Sequence, residues 1–271
     1  MGCRIMKFRR QDKQILSSKS LHLAGILLLA VMLFTFIFTN DLIHNFWGIR
    51  KISNFELYMV EGFAAIQIIA PLFPLLAVLG YFQTSDLFVF SYPRTKHPQK
   101  YVTATIVKYC LAAGLVLFLY SLIYLAIGAF WLDMPEQGVP REILSELLGT
   151  DFYYQHTVLY FVLENFVKFF LFPCVYALFG ISFTFLVQKA YLCVLIPLAY
   201  FDIGAILVTV IDQLVPVDLF FLSPAYPLMW NAARYRGIAF ILFPLLLPLV
   251  FSIVVINRGL KKGDAYVAFQ P

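Results

Sequence analysis

Six long apolar segments dominate this chain of 271 residues and limit the folds that it can adopt. A helix that crosses a bilayer needs about 20 apolar residues, because in hydrocarbon its backbone can bond only to itself. None of the segments alternates between apolar and polar residues, as a strand of a membrane barrel would. The sequence therefore predicts an all-α polytopic membrane protein. The predicted transmembrane helices are residues 21–39, 62–82, 103–132, 157–187, 191–211 and 237–256.

The composition excludes several other classes of protein. Apolar residues make up 62% of the chain and charged residues 13%, about half of the ~25% that is usual in soluble domains. A soluble enzyme, a nucleic-acid-binding domain and a disordered chain are all inconsistent with these values. No internal repeat and no Ser/Gly-rich linker divides the sequence, so residues 1–271 are predicted to form a single transmembrane domain.

The positions of Lys and Arg give the orientation, because these residues resist translocation. Thirteen of the 20 lie before the first span, between spans two and three, between spans four and five, or after the sixth. Both termini are therefore predicted to be cytoplasmic, with the spans in the plasma membrane and residues 257–271 as a tail. Residues 1–20 carry Ile5, Phe8, Ile15 and Leu16 near one helical stripe, which predicts an interfacial helix on the inner membrane surface. A plain basic tail is the alternative.

The loop before the sixth span is too apolar for a solvated connection. Residues 212–236 include several aromatic residues and are broken by Pro216, Pro224 and Pro227. Short helices that dip back into the outer leaflet fit this pattern, provided that protein or a water-filled cavity covers their backbone. We therefore predict a re-entrant outer segment that includes Ser223, Pro224 and Tyr226.

Ionisable residues inside the spans are candidates for function, because charges are costly in hydrocarbon. Asp202, near the middle of the fifth span, either lines a pathway or holds a proton, or it bonds to a neighbouring helix as a structural acid. Glu164 and Lys168 are four residues apart with the acid first, which is the favourable order for a pair on one helix face. We predict a structural pair at the outer interface with Lys168 snorkelling, and a functional pair is the alternative.

The sequence offers no pattern of an intramembrane enzyme. An aspartyl protease needs two facing acids, and no predicted span contains an Asp besides Asp202. A serine protease needs Gly-x-Ser-Gly, but Phe183 follows Gly180-Ile181-Ser182. The histidines lack metal-ligand spacing, and no Gly-rich phosphate loop occurs. We therefore expect no enzymatic activity, no metal and no cofactor on this chain.

Two short motifs carry a resemblance to a known family. The first leads into the third span with a Pro, several basic residues and an aromatic residue: Pro93, Arg94, Lys96, Lys100 and Tyr101. The second is Leu-Ser-Pro-Ala-Tyr-Pro at residues 222–227, before the last span. With six spans and cytoplasmic termini, these motifs resemble the export-type (type-2) permease subunits of ATP-binding-cassette transporters. Thr105 stands where that family often has Lys, which follows here at Lys108.

The resemblance implies a division of labour between subunits. This chain would form the translocation path with a second permease subunit, identical or related, and cytoplasmic ATPase subunits that bind ATP and Mg²⁺ would dock beneath. Residues 83–102 would be the ATPase-coupling loop. The few charges and many aromatic residues of the spans favour an amphipathic or hydrophobic cargo, such as a peptide, a lipid or a drug. No nucleic acid is expected as a partner.

Two other functions stay open at this point. The chain could be a stand-alone secondary transporter or channel that uses Asp202 and Glu164 as proton or ion sites. Such a protein would work without a partner ATPase. The chain could also be a non-transporting membrane scaffold whose outer loops bind other proteins.

Overall fold

The computed structural model describes residues 19–46, 55, 58–59, 70–85, 98–132, 152, 155–187, 189–215, 219–229 and 238–262. Every regular element within these residues is helical, which confirms the predicted all-α class for this part of the chain. The main helices are α1 (Lys19–Phe46), α2 (Leu72–Ser85), α3 (Pro98–Trp131), α4 (Thr157–Phe183), α5 (Ala190–Leu214) and α6 (Ile238–Lys262). Helix α4 has a π-helical segment, Phe166–Leu171, between two α-helical parts, Thr157–Asn165 and Phe172–Phe183.

Four of the described helices are long and apolar enough to cross a membrane, namely α3, α4, α5 and α6. The chain is therefore a multi-pass membrane protein. In α1 and α2 the apolar stretches with described side chains, Leu21–Ile37 and Leu72–Tyr81, are shorter. The crossing of the membrane by these two helices stays a prediction.

The helix bounds differ from the predicted ones by a few residues. Helix α1 continues to Phe46, α3 begins at Pro98, and α6 runs to Lys262, into the predicted tail. Helix α4 ends at Phe183, because three bonds between residues i and i+3 turn the chain at residues 184–186. The start of the second predicted span, residues 62–69, and most of residues 1–20 lie outside the described residues.

Prolines occur both at the starts and in the interiors of these helices. Pro98 opens α3, where its missing N–H is not needed, and Pro173 lies inside α4, directly after the π-helical segment. Pro197 lies inside α5 and both Pro244 and Pro248 lie inside α6. The hydroxyl of Ser252 donates to the carbonyl oxygen of Pro248 at 2.5 Å.

Consecutive helices run in opposite directions. A single hydrophobic cluster contains the beginnings of α1, α3 and α5 and the ends of α2, α4 and α6. Its members at those six places are Leu21, Val102, Cys193, Tyr81, Phe183 and Leu260. We call this end of the bundle the basic end, because exposed cations lie at the helix ends that meet there: Lys19, Lys100, Lys189, Arg258 and Lys261. A second cluster fills the other half of the bundle, which we call the far end.

Helix α4 is the centre of the bundle and α5 lies at its margin. Helix α4 packs against α2, α3, α5 and α6, whereas α5 packs mainly against α4 and α2. Two thirds of the most apolar stretch of α4 is buried, at 67%, compared with 11% for α5. The side chains of α4 therefore face protein, and most of α5 faces whatever surrounds the chain.

Candidate functional site

Helix α4 holds two ionisable side chains that pair inside the bundle. The Nζ atom of Lys168 donates to Oε1 of Glu164 at 2.6 Å, and the two side chains are 2% and 0% exposed. The spacing of four residues makes the pair that the sequence predicts. The prediction that Lys168 snorkels to an interface is wrong, because protein covers its whole side chain.

Asn165 lies next to this pair, and we call Glu164, Asn165 and Lys168 the polar cluster. Asn165 is fully buried, and its Nδ2 donates to the carbonyl oxygen of Ser121 in α3 at 3.4 Å. Its Oδ1 accepts no hydrogen bond from the part of the chain that the structure describes. Sequence reasoning missed Asn165, although its position three residues before Lys168 puts the two on the same helix face.

The π-helical segment of α4 begins directly after Asn165 and includes Lys168. Segments of this kind are rare in proteins, and those that occur lie frequently at functional sites. Gly114 of α3 gives the segment room, since a Cβ atom there would be 2.8 Å from the carbonyl oxygen of Phe170 and 2.5 Å from Sγ of Cys174. The backbones of α3 and of the π-helical segment therefore meet without an intervening side chain.

The polar cluster is surrounded by apolar and aromatic side chains. Tyr160, Phe161 and Phe172 of the same helix are buried in the hydrophobic cluster of the far end. Replacing a buried ion pair by apolar residues of similar volume often leaves stability unchanged or raises it. Packing alone therefore does not require two opposite charges at this place, and the polar cluster is a candidate functional site.

Asp202 is a second candidate and stands at the middle of α5, with twelve helical residues on either side. Its neighbour Phe201 is buried, with its ring 5.8 Å from those of Phe172 and Tyr176. Asp202 itself is partly exposed, and it makes no hydrogen bond or ion pair with any described residue. The interpretation of Asp202 as a structural acid required a bond to a neighbouring helix, and no such bond is made within these residues. Asp202 also does not join the polar cluster.

The segment before α6 is covered by protein. Phe220–Leu222 forms a 3-10 turn and Tyr226–Met229 a single helical turn, and the two pack against α4, α5 and α6. Ser223 and Tyr226 are fully buried. Pro224 lies on Gly204 of α5, where a Cβ atom would be 2.8 Å from Cγ of the proline. Such cover is what a re-entrant segment needs, and its entry into the membrane stays a prediction.

Hydrogen bonds fix this segment at its start and in its turn. Oδ1 of Asp212, near the end of α5, accepts a bond from the backbone N–H of Leu219 at 2.6 Å. The hydroxyl oxygen of Ser223 accepts one from the N–H of Ala225 at 3.3 Å. The role of Asp212 is structural, and the sequence alone did not single it out.

The basic end holds the described part of the predicted coupling loop. Lys100 and Tyr101 lie in the first turn of α3, whereas residues 93–96 lie outside the described residues. Nε2 of Gln99 donates to the carbonyl oxygen of Leu260 at 3.0 Å. The beginning of α3 is therefore tied to the end of α6.

No family model, no curated protein and no solved structure matches this chain. The function is therefore inferred from the polar cluster, from Asp202 and from the basic end. Of these, the polar cluster and Asp202 offer charges within spanning helices, and the basic end offers exposed cations beside two joined helix ends.

Proposed function

We propose that this chain is the permease subunit of an ATP-binding-cassette exporter in the plasma membrane. In this function all six main helices cross the membrane, both termini are cytoplasmic, and the basic end faces the cytoplasm. The cargo is an amphipathic or hydrophobic peptide, lipid or drug. ATP and Mg²⁺ bind to a separate ATPase subunit, and this chain itself hydrolyses nothing.

The observation that supports this function most is the bond between Gln99 and Leu260 at the basic end. It joins the start of α3, which continues the predicted coupling loop, to the end of α6. An ATPase that binds at this end would therefore move two helices together. Rigid-body movement of this kind is how interface changes are passed through a protein, and ATP binding would shift the populations of inward-facing and outward-facing states.

The orientation is supported by charge. The exposed cations of the described helix ends lie at one end of the bundle, which the positive-inside rule assigns to the cytoplasm. At the opposite end, Asp212 bonds to the segment that precedes α6. The re-entrant segment would then enter from the outer side of the membrane.

The experiment that tests the proposal is purification of this chain from its native membrane in a gentle detergent, followed by mass spectrometry of what accompanies it. We expect a cytoplasmic ATPase in a stoichiometric amount. Absence of any ATPase, under conditions that preserve other complexes of this type, would overturn the proposal.

A secondary transporter is a second candidate, because two observations favour it. The Glu164–Lys168 pair is buried, and Asp202 forms no hydrogen bond or ion pair with any described residue. Ionisable groups within membrane helices often mark proton or ion pathways. This candidate predicts flux that follows an ion gradient without an ATPase and that is abolished by Asp202→Asn. Flux that depends on ATP and survives this substitution would exclude it.

A further inference from the structure

Helices α5 and α6 border a groove on the surface of α4. Among the described residues both helices pack extensively against α4 but not against each other. Phe179 of α4 lies between them, with its ring 5.4 Å from that of Tyr200 in α5 and 5.6 Å from that of Phe251 in α6. At the far end the groove is closed, because the segment before α6 packs against both helices. The groove therefore opens toward the basic end.

The walls of the groove are apolar and half-buried. They run from the aromatic residues beside Phe179 toward the basic end, at spacings of four or three residues. Residues at these spacings share one face of a helix. The wall residues are Leu192, Ile196 and Tyr200 on α5 and Phe251 and Val255 on α6. With Phe179 as the floor, we call these residues the α5–α6 groove.

Each wall ends in an exposed cation at the basic end. Lys189 directly precedes α5, and Arg258 lies three residues after Val255 in α6, so both continue the spacing of their walls. The turn that leads to Lys189 lies against α6, since a Cβ atom at Gly259 would be 2.5 Å from Cδ1 of Phe185. No described residue in the helix ends that meet here is an Asp or a Glu. The described part of the chain therefore does not balance these two positive charges.

We propose that the α5–α6 groove holds an anionic phospholipid, with its phosphate at Lys189 and Arg258 and an acyl chain along the apolar walls. The planar guanidinium of Arg258 can bind a phosphate through two parallel hydrogen bonds, and Lys189 adds a second positive charge. Basic residues at the ends of membrane helices attract anionic headgroups in this way. The lipid binds whether or not an ATPase is attached, so this site goes beyond the proposed function.

A phospholipid fits both the charged and the apolar part of the groove. A free phosphate ion would use only the two cations and would leave the walls uncovered. An acidic surface of a partner protein would reach the exposed cations but not the half-buried residues behind them. Tyr191 also suits a headgroup, because it is 55% exposed and the centroid of its ring lies 5.9 Å from Nζ of Lys189. Amphipathic rings of this kind are enriched at the headgroup level of membranes.

Lipid binding to the purified full chain tests the role of the two cations. Native mass spectrometry compares dioleoyl-phosphatidylglycerol, which is anionic, with dioleoyl-phosphatidylcholine, which has the same acyl chains and no net charge. We expect phosphatidylglycerol to bind more tightly, and Lys189→Gln with Arg258→Gln to weaken its binding about 25-fold, or about 5-fold per cation. The matched control is Arg234→Gln with Arg236→Gln, in a loop predicted to lie outside. Equal affinity for the two lipids, or an equal loss in the control, would overturn the proposal.

Tryptophan fluorescence tests where the lipid lies. In a variant with Trp47, Trp131 and Trp230 replaced by Phe, a single reporter is introduced in the groove by Ile196→Trp. The matched reporter is Leu195→Trp, at the neighbouring position, which is 50% exposed. Vesicles contain phosphatidylglycerol and phosphatidylcholine in equal amounts, and only one of the two carries bromine on its chains.

The two reporters should differ in the lipid that quenches them. We expect brominated phosphatidylglycerol to quench the reporter in the groove several-fold more than brominated phosphatidylcholine does. At position 195 the surrounding bilayer supplies the quencher, so both lipids should quench equally. The same ratio of quenching at both positions would overturn the proposal.

Co-purification of the ATPase separates the lipid site from the proposed function. If Lys189→Gln with Arg258→Gln releases the ATPase and leaves lipid binding unchanged, the two cations belong to the ATPase contact and the lipid site is wrong. Loss of phosphatidylglycerol with the ATPase still bound supports the lipid site and the exporter function together. Loss of phosphatidylglycerol from the variant, with no ATPase on either chain, would support the lipid site and overturn the exporter function.

Discussion

Tyr58 and Tyr124 each donate a hydrogen bond to the backbone carbonyl oxygen of the other, at 2.8 and 2.7 Å. Their rings are stacked with centroids 4.0 Å apart, and both residues are buried. Gly128 makes room for this contact, since a Cβ atom there would be 2.5 Å from the ring of Tyr58. These two residues therefore hold the chain between α1 and α2 against the half of α3 that lies at the far end of the bundle.

Loss of the hydroxyl of Tyr58 or of Tyr124 should weaken this contact. Tyr58→Phe and Tyr124→Phe each remove the donor to a buried carbonyl oxygen, so we expect each to lower the free energy of unfolding by about 1 kcal/mol. Thermal unfolding in detergent measures the effect. The control is Tyr191→Phe, because Tyr191 is 55% exposed. A Tyr58→Phe variant as stable as this control would contradict the prediction.

The Glu164–Lys168 pair should respond differently to single and to double substitution. Glu164→Gln leaves the ammonium group of Lys168 buried without its counter-charge, and we expect a loss of about 3–5 kcal/mol. Glu164→Leu combined with Lys168→Met removes both charges and should recover most of that loss. Unfolding in detergent compares the three chains. A double variant as unstable as the single one would show that the pair is needed for packing.

A methyl group at Gly114 should disturb the contact between α3 and the π-helical segment. The carbonyl oxygen of Phe170 is backbone and cannot turn aside, so we expect Gly114→Ala to cost about 1–3 kcal/mol. Gly80→Ala is the control, because the nearest atom there is a ring carbon of Tyr109 at 3.2 Å. Equal melting temperatures for the two variants would argue against a tight contact at Gly114.

The coupling loop can be tested by reversing its charge. We expect Arg94→Glu with Lys96→Glu to abolish stimulation of the partner ATPase while insertion into the membrane is unchanged. The matched control is Arg50→Glu with Lys51→Glu, in a loop predicted to lie outside. ATPase activity in reconstituted vesicles is the readout. Normal transport by the variant with Arg94→Glu and Lys96→Glu would show that this loop does not couple the ATPase to transport.

Hydropathy predicted the described helices because a spanning helix must be apolar along its length, whatever it packs against. Because these helices are apolar on all sides, hydropathy does not show which sides of a helix are buried. It therefore could not show that α4 is central and α5 marginal. The ends of the helices were predicted less well, because turns such as residues 184–186 depend on local hydrogen bonds that apolar content does not report.

The candidate site was predictable only in part for the same reason. Spacing alone brought Glu164 and Lys168 together, because it fixes the helix face that they share. The burial of these two side chains depends on the contact between α3 and the π-helical segment. No sequence pattern around Gly114 or Asn165 predicts that contact. Asp202 was recognisable as an acid in an apolar helix, but only the tertiary structure shows that no described residue forms a hydrogen bond or an ion pair with it.

The placement of both members of the buried ion pair on one helix affects how the protein is made. Membrane helices enter the bilayer before they assemble with one another. If the two residues lay on different helices, each helix would enter the bilayer with an unpaired charge exposed to lipid. Glu164 and Lys168 form their 2.6 Å contact within a single helix, so α4 carries its own neutralising partner from the moment that it becomes helical. Insertion of this segment need not wait for any other.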